Sequence, residues 1–338
     1  MMTEHVEETE PRGAKRRAYR ILGLTHGLES PSGLMLNDDR FFEPGEIFSA
    51  WTNWDRLEAI PFQPDMDVNI RLTDQVSRPF SITHEKKLLE IQADLKALEG
   101  TIQDRRWAIL GNQGLWFRFA LAIQEQHGIY ALHAASIYDP RDDHLVVLIG
   151  KAGSGKSVFL LSAIQSGWQV FSTELTYFTA GGAFLRGSLF DNLYVGTLTQ
   201  DFPEIRHQLD VDLPEVDEPW AHKLSVDLSN MACTERELQS PTLSLLFPHV
   251  EKGLDCAIVD EIEDPRILCR RLYESASEKI SGGYLLHEQV PGPIMDTPQL
   301  AKARLQAVER LTDQKTIQLK TARIVSTGPT HCMEGLLP

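Results

Sequence analysis

The stretch Leu148-Ile149-Gly150-Lys151-Ala152-Gly153-Ser154-Gly155-Lys156-Ser157 constrains the fold more than any other part of the chain. It carries the whole GxxxxGKS pattern of a phosphate-binding P-loop. Gly150, Gly153 and Gly155 free the backbone to turn successive N–H groups toward phosphate oxygens, and the helix that follows adds its positive N-terminal end. In such a loop Lys156 reaches the β- and γ-phosphates and the Ser157 hydroxyl ligates Mg²⁺. The flanks suit the motif, because His144-Leu145-Val146-Val147-Leu148-Ile149 reads as a buried strand and the run from Val158 to Ile164 as a helix closed by Gly167. The expected cofactors are ATP or GTP with Mg²⁺. The expected nucleotide contacts are Gly150, Lys151, Ala152, Gly153, Ser154, Gly155, Lys156, Ser157 and Val158.

Composition sets the remaining bounds. The chain has 338 residues, 42% of them hydrophobic, enough for a sizeable core in one large or two modest domains. With 33 basic against 48 acidic side chains the formal net charge is −15, which leaves nonspecific binding to nucleic acid or anionic membrane without an electrostatic basis. No stretch approaches the roughly 18 uninterrupted apolar residues that a membrane span needs. Four cysteines (Cys233, Cys256, Cys269, Cys332) without CxxC spacing indicate neither a zinc site nor a disulfide framework. The expected setting is a reduced cytoplasm.

In chain order, residues 1–17 hold an acidic start and the basic cluster Arg12, Lys15, Arg16 and Arg17, and read as a disordered arm. Residues 18–128 form an expected N-terminal region, with short strands at Tyr19–Leu24, Ile47–Trp51 and Val68–Leu72. Leu88, Leu89, Ile91, Leu95, Leu98 and Ile102 recur at helical spacing and predict an amphipathic helix over 83–103. A second helix is expected over 114–126, with Leu115, Phe119, Ala122 and Ile123 as its stripe. Trp51, Trp54 and Phe62 read as packing residues rather than a ligand platform.

Residues 129–338 form the expected catalytic domain. Ile129 to Tyr138 reads as a strand that turns through Asp139-Pro140-Arg141-Asp142-Asp143 into the strand feeding the loop, which sets His133 beside it. A lone strand histidine is as a rule a satisfied core residue. Trp168 to Glu174 is a short strand whose terminal Glu174 is a candidate metal ligand. Strands follow at 175–179 and 183–185, a long loop at 201–217, strands at 242–247 and 255–259, helices at 264–276 and 298–311, and an edge strand at 317–324. Ile258-Val259-Asp260-Glu261 imitates the second acidic motif of P-loop ATPases.

Within this part the residues resemble the C-terminal catalytic domain of HPr kinase/phosphorylase and its relatives. The resemblance rests on Leu132-His133-Ala134-Ala135-Ser136, an apolar strand, the GxxGxGKS loop, a helix closed by Gly167, and a strand ending at Thr173-Glu174. It covers Ile129 to Leu193 and extends faintly over Ser244 to Tyr273, where Asp260-Glu261 looks like the lead-in to a helix rather than an ATPase acid. It implies an α/β fold leaning to α+β: a P-loop kinase core whose mixed, largely antiparallel twisted sheet follows a small strand-rich N-terminal region. It also implies that Glu174 stands where the family's second aspartate holds Mg²⁺, making Ser157 and Glu174 the metal ligands, and that His133 stands near the reacting phosphate. Thr173 occupies the place of the family's first aspartate. A threonine cannot accept a proton near neutral pH, so the base is His133 or a carboxylate elsewhere, or transfer is weak or absent. Arg186, in Leu185-Arg186-Gly187-Ser188, reads equally as a phosphate contact or a surface arginine.

The leading expectation is a phosphotransferase acting on a hydroxyl of a peptide, protein or small molecule, with His133, Glu174 and Lys156 as its catalytic residues. The expected partners are thus a nucleotide and that acceptor, without nucleic acid or membrane, and a homo-oligomer is left open. The alternatives are a nucleotide-binding regulator without transfer and an ATPase using Asp260-Glu261.

Overall fold

The computed structural model describes residues 15–30, 36–43, 49–74, 81–93, 109–209, 211–281, 285–287, 290–291, 293–313 and 318–336. Helices and strands are mixed, and the two large sheets each combine parallel with antiparallel pairs. No helix among the described residues is long and apolar enough to cross a membrane.

Among the described residues the N-terminal sheet has six strands: β1 (Lys15–Ile21), β2 (Leu24–Ser30), β3 (Glu58–Ala59), β4 (Val68–Asp74), β5 (Ser81–Glu85) and β6 (Leu88–Ala93), in the order β3-β1-β2-β4-β6-β5. Lys15, Arg16 and Arg17 thus belong to a paired strand and not to an arm, and residues 1–14 lie outside the described ones. Arg16 pairs with Glu29 at 2.8 Å across that ladder. The helix predicted over 83–103 is also replaced. Its described part is the β5–β6 hairpin, turned at Lys86 with φ 49°, and residues 94–103 lie outside the described ones. Leu89 and Ile91, two apart, are the fully buried members, so the pattern that matters there is the strand period of two. In place of the strand predicted at 47–51, residues Ala50–Asn53 form a 3₁₀ turn capped by Ser49, and 47–48 are not described.

Helix α1 (Leu115–Gln126) forms where predicted, but it is buried on every face, including Arg118, Gln124 and Glu125. A helix surrounded in this way sits inside a core rather than on it. Its core joins the N-terminal sheet to the later part of the chain, since Leu28, Ile70, Ile91 and Trp116 cluster with Leu175, Tyr177, Ile280 and Leu300. At its C-terminal end Glu125 receives Arg304 at 2.7 Å, and Arg304 also reaches Asp296 at 2.8 Å.

Among the described residues the second sheet has nine strands. Those nearest the loop are β7 (Ile129–Asp139), β8 (His144–Ile149), β9 (Gln169–Ser172) and β10 (Leu175–Thr179). The others are β11 (Ala183–Leu185), β14 (Glu237–Gln239), β15 (Thr242–Val250), β16 (Ile258–Glu261) and β19 (Leu319–Thr327). The order is β14-β11-β10-β7-β8-β15-β19-β16, with β9 beside the second half of β7. Only β8–β15 and β15–β19 are parallel among these pairs, so the expected antiparallel bias is present. The predicted edge strand at 317–324 is instead interior, with β16 outside it and Ile317 outside the described residues. Along β8, Val146 and Leu148 face a core containing Phe159 and Leu160 of α2 (Lys156–Gln165). Leu145 and Val147 face the opposite core, with Leu268 and Leu272 of α4 (Pro265–Ser281) and Val308 of α5 (Pro298–Thr312). Such two-sided burial explains an unbroken apolar strand. Two further pairs stand apart from it: β12 (Phe190–Tyr194) with β13 (Lys223–Asp227), and β17 (Leu285–His287) with β18 (Val290–Pro291). Between β12 and β13 lie a π-turn, Thr197–Asp201, and, where a loop is predicted over 201–217, the short helix α3 (Pro203–Leu209).

Candidate functional site

The glycine-rich loop runs from the end of β8 to the start of α2. Gly153 and Gly155 take φ of 84° and 94°, left-handed values that favour glycine. Gly155 is also excluded from carrying a side chain, because a Cβ there would stand 2.2 Å from Val250 Cγ2. The loop is tied to the end of β15 by Val250 N–H donating to Ser154 O at 3.1 Å. Lys156 is buried at 9% exposure, and its Nζ donates to Gly150 O at 2.6 Å and Lys151 O at 3.2 Å. Ser154 Oγ is buried without a partner. Lys151, Ala152 and Gly153 are exposed, whereas Ser157 and Val158 are half-buried at the first turn of α2.

Strand register brings the other groups to this loop. Ala134 pairs with Ile149 and Leu175 with His133, so β7 carries His133 between the start of the loop on one side and the β9–β10 corner on the other. Glu174 occupies that corner. Although β9 follows α2 in sequence, β7 lies between β8 and β9. His133 is 5% exposed. Its Nε2 lies 3.7 Å from Glu174 Oε2, and its Nδ1 lies 2.9 Å from Glu278 Oε1 of α4, close but not aligned as a hydrogen bond. The sequence-predicted His133, Glu174, Lys156, Gly153, Gly155, Ser157 and Val158 therefore line one cavity of about 270 Å³.

Three functional candidates were not legible in the sequence. Asp191, on β12, is buried in the same cavity against Ser157, Lys156 and Glu174, with its Oδ2 unpartnered. Burial first, and then the neighbouring Glu174 charge, push its carboxyl up to about 7. Glu278 reaches the site from a helix far along the chain. Lys279 beside it is depressed by burial, opposed by Glu174 and Glu278. For Glu174 burial acts upward, but His133, Lys156 and Lys279 outweigh it and hold the carboxyl below its ordinary value. Burial lowers Lys156, with Glu174, Asp191 and Glu278 opposing.

Other expectations change. Thr173 Oγ1 donates to the Ser188 and Phe190 carbonyls at 3.0 and 2.7 Å, so its hydroxyl is committed to holding the 188–190 segment. Arg186 is buried, pairs with Asp55 at 2.8 Å and donates to Cys233 O at 2.6 Å, which makes it a tie to the N-terminal region rather than a phosphate contact. Gly187 beside it packs so closely that a Cβ would stand 1.9 Å from Leu175 O. Asp260 and Glu261 are exposed on β16 and separated from β8 by β15 and β19, and Glu261 faces Arg323 at 3.4 Å. They lead into α4, which begins at Pro265, as the resemblance implies, and they do not line the cavity. Glu261→Gln is expected to leave any nucleotide turnover unchanged, checked by steady-state phosphate release. Trp54 is fully buried beside Trp116, as a packing residue should be.

A second cavity of about 640 Å³ is lined by Gly150, Lys151, Arg271, Tyr273, Ser277 and Glu278, among others. His133 lines the first cavity and Glu278 the second, so the two meet at that pair. Compared with known family models and with curated proteins, the chain matches none.

Proposed function

We propose that this protein is an ATP- or GTP-dependent, Mg²⁺-requiring phosphotransferase that moves the γ-phosphoryl group to a hydroxyl of a peptide, protein or small molecule, as the resemblance to HPr kinase/phosphorylase implies. The observation that supports it is the convergence on one cavity of a glycine-rich loop, a buried lysine and, facing them, Glu174, Asp191 and His133. A nucleotide-binding module requires only the loop and the lysine. Carboxylates and an imidazole opposite them are what phosphoryl transfer uses for metal ligation and proton acceptance.

The residues present fit a hard cation. Asp191 Oδ2 is a buried carboxylate oxygen without a partner, beside the Ser157 hydroxyl and Glu174. Ser157, Glu174 and Asp191 would hold the Mg²⁺, which when bound offsets phosphate charge. In the transfer the acceptor oxygen bonds to the γ-phosphorus, the bond to the bridging oxygen breaks, and the nucleoside diphosphate leaves with that electron pair. The acceptor proton passes to His133, whose Nδ1 side faces Glu278 and whose Nε2 faces Glu174 and the cavity. The second cavity, reaching Gly150 and Glu278, gives the acceptor a path to the same point.

A second reading, a nucleotide-binding regulator, is favoured by Thr173, whose hydroxyl is unavailable for chemistry. Nucleotide turnover with and without a panel of hydroxyl acceptors separates the readings. Acceptor-dependent turnover is the expected result, and tight binding without turnover would leave the regulator. The Asp191 carboxyl makes a further prediction. A carboxyl raised to about 7 must lose its proton to ligate a cation, so Mg²⁺-nucleotide affinity should increase as pH rises through about 7. Asp191→Asn should flatten that dependence in titrations across pH and weaken affinity about 10-fold or more.

A further inference from the structure

Apart from Asp191, the hairpin β12–β13 and the excursion between its strands have no role in the chemistry above, yet their residues line the nucleotide cavity. Tyr194, Thr197, Asp201, Trp220 and Lys223 line it together with Val158 of the glycine-rich loop and its helix. Lys252 and Pro329 line it as well. They follow β15 and β19, the two strands that continue the parallel run from β8, and Glu251 N–H donates to Thr327 O at 3.0 Å to hold the two loops together. In open α/β sheets ligands lie outside the carboxyl ends of parallel strands. His133, Glu174 and Glu278 sit on the other side of β8, toward β7 and β10. The loop thus has a reacting side and a second side lined by two aromatic rings, two ammonium groups and the Asp201 carboxyl, which faces Lys252.

Trp220 is built into that second side. Gly196 packs against the indole so closely that a Cβ would stand 2.5 Å from both Cδ2 and Cε2, and Gly196 N–H donates to Pro219 O at 2.8 Å. The indole N–H donates to Gln200 Oε1 at 3.2 Å. The ring is therefore held on the π-turn, yet Trp220 remains 36% exposed, with Lys252 Nζ over it at 4.0 Å from the centroid. Tyr194 is 39% exposed and carries Lys223 Nζ at 4.5 Å in the same way. Two fixed, partly exposed aromatic rings beside ammonium groups match a ligand with a flat π-face at one end and anionic charge at the other.

We propose that this wall is the nucleobase subsite, in which a purine stacks on Trp220 while Lys252 turns from the ring toward the sugar-phosphate end. The inference rests on the nucleotide reading above and adds where the base lies. Calorimetry on the full chain with Mg²⁺-ATP, Mg²⁺-GTP and inorganic tripolyphosphate tests it. Trp220→Ala should weaken both nucleotides by roughly 10-fold to 100-fold and leave tripolyphosphate unchanged, since base stacking is lost while the phosphate cradle stays. Trp220→Phe, which keeps a π-face, should retain most of the affinity, and the melting temperature of each variant reports folding. Unchanged nucleotide affinity in Trp220→Ala would overturn the proposal, as would equal loss of tripolyphosphate. Wild-type protein that binds tripolyphosphate as tightly as the nucleotides would overturn the subsite alone. Failure of all three ligands to bind would overturn both the subsite and the reading beneath it.

Discussion

Lys156→Ala is expected to abolish measurable nucleotide binding while leaving the protein folded. The ammonium is buried and points back along the loop, bonded to the Gly150 and Lys151 carbonyls, where the terminal phosphates would displace it into contact with themselves. Three carboxylates, Glu174, Asp191 and Glu278, act on it. Without it, those charges would face the phosphates with only backbone N–H groups and the metal between them. Truncating one partner of a buried charged pair costs about 2–5 kcal/mol, which is roughly 30-fold to several-thousand-fold in Kd. Calorimetry gives the number directly. Wild-type affinity in Lys156→Ala would remove the site assignment.

The second large effect separates His133 from Glu174. His133→Ala should keep nucleotide affinity and lose acceptor phosphorylation by about 10²–10⁴-fold, the usual cost of removing a general base. Glu174→Ala should lose both, because the side chain expected to hold Mg²⁺ goes with it. Their proximity, 3.7 Å between Nε2 and Oε2, means neither variant leaves the other residue undisturbed. The contrast between binding and rate is therefore the informative readout, and the double variant should fall short of additivity. His133→Ala that phosphorylates at the wild-type rate would reduce His133 to a buried strand residue.

The stretch from His133 to Glu174 was largely legible because its signals are local. A strand, a turn, an apolar strand, three glycines and a helix are set by neighbouring residues, and β7, β8 and α2 form at the predicted places. Asp191 gave no such signal. It becomes a site residue only because the β12–β13 hairpin lays it against Ser157, and Glu278 only because α4 packs on β7. The hairpin at 81–93 departs from its helical pattern for a related reason. Leu88, Leu89 and Ile91 satisfy helical and strand spacing alike, and pairing of β6 with β4 decides between them. Thr173 is the opposite case: it follows β9 as the local strand signal implies, but its hydroxyl serves two carbonyls that no local pattern reveals.

The Arg304 cluster sets a rule for how such a sequence can change over time. Arg304 is wholly buried, donates to Glu125 and Asp296, and reaches Ser277 at 3.1 Å, so α1 is bound to α4 and α5 through one guanidinium. Losing one member strands a buried charge at a cost of about 3–5 kcal/mol, whereas exchanging all of them for apolar residues of similar volume can be neutral. Substitution at position 125 is thus tolerable only in the company of changes at 296 and 304. Relatives of this chain should vary there as a set, and the helix that precedes the glycine-rich loop by sequence should carry an inheritance inseparable from it.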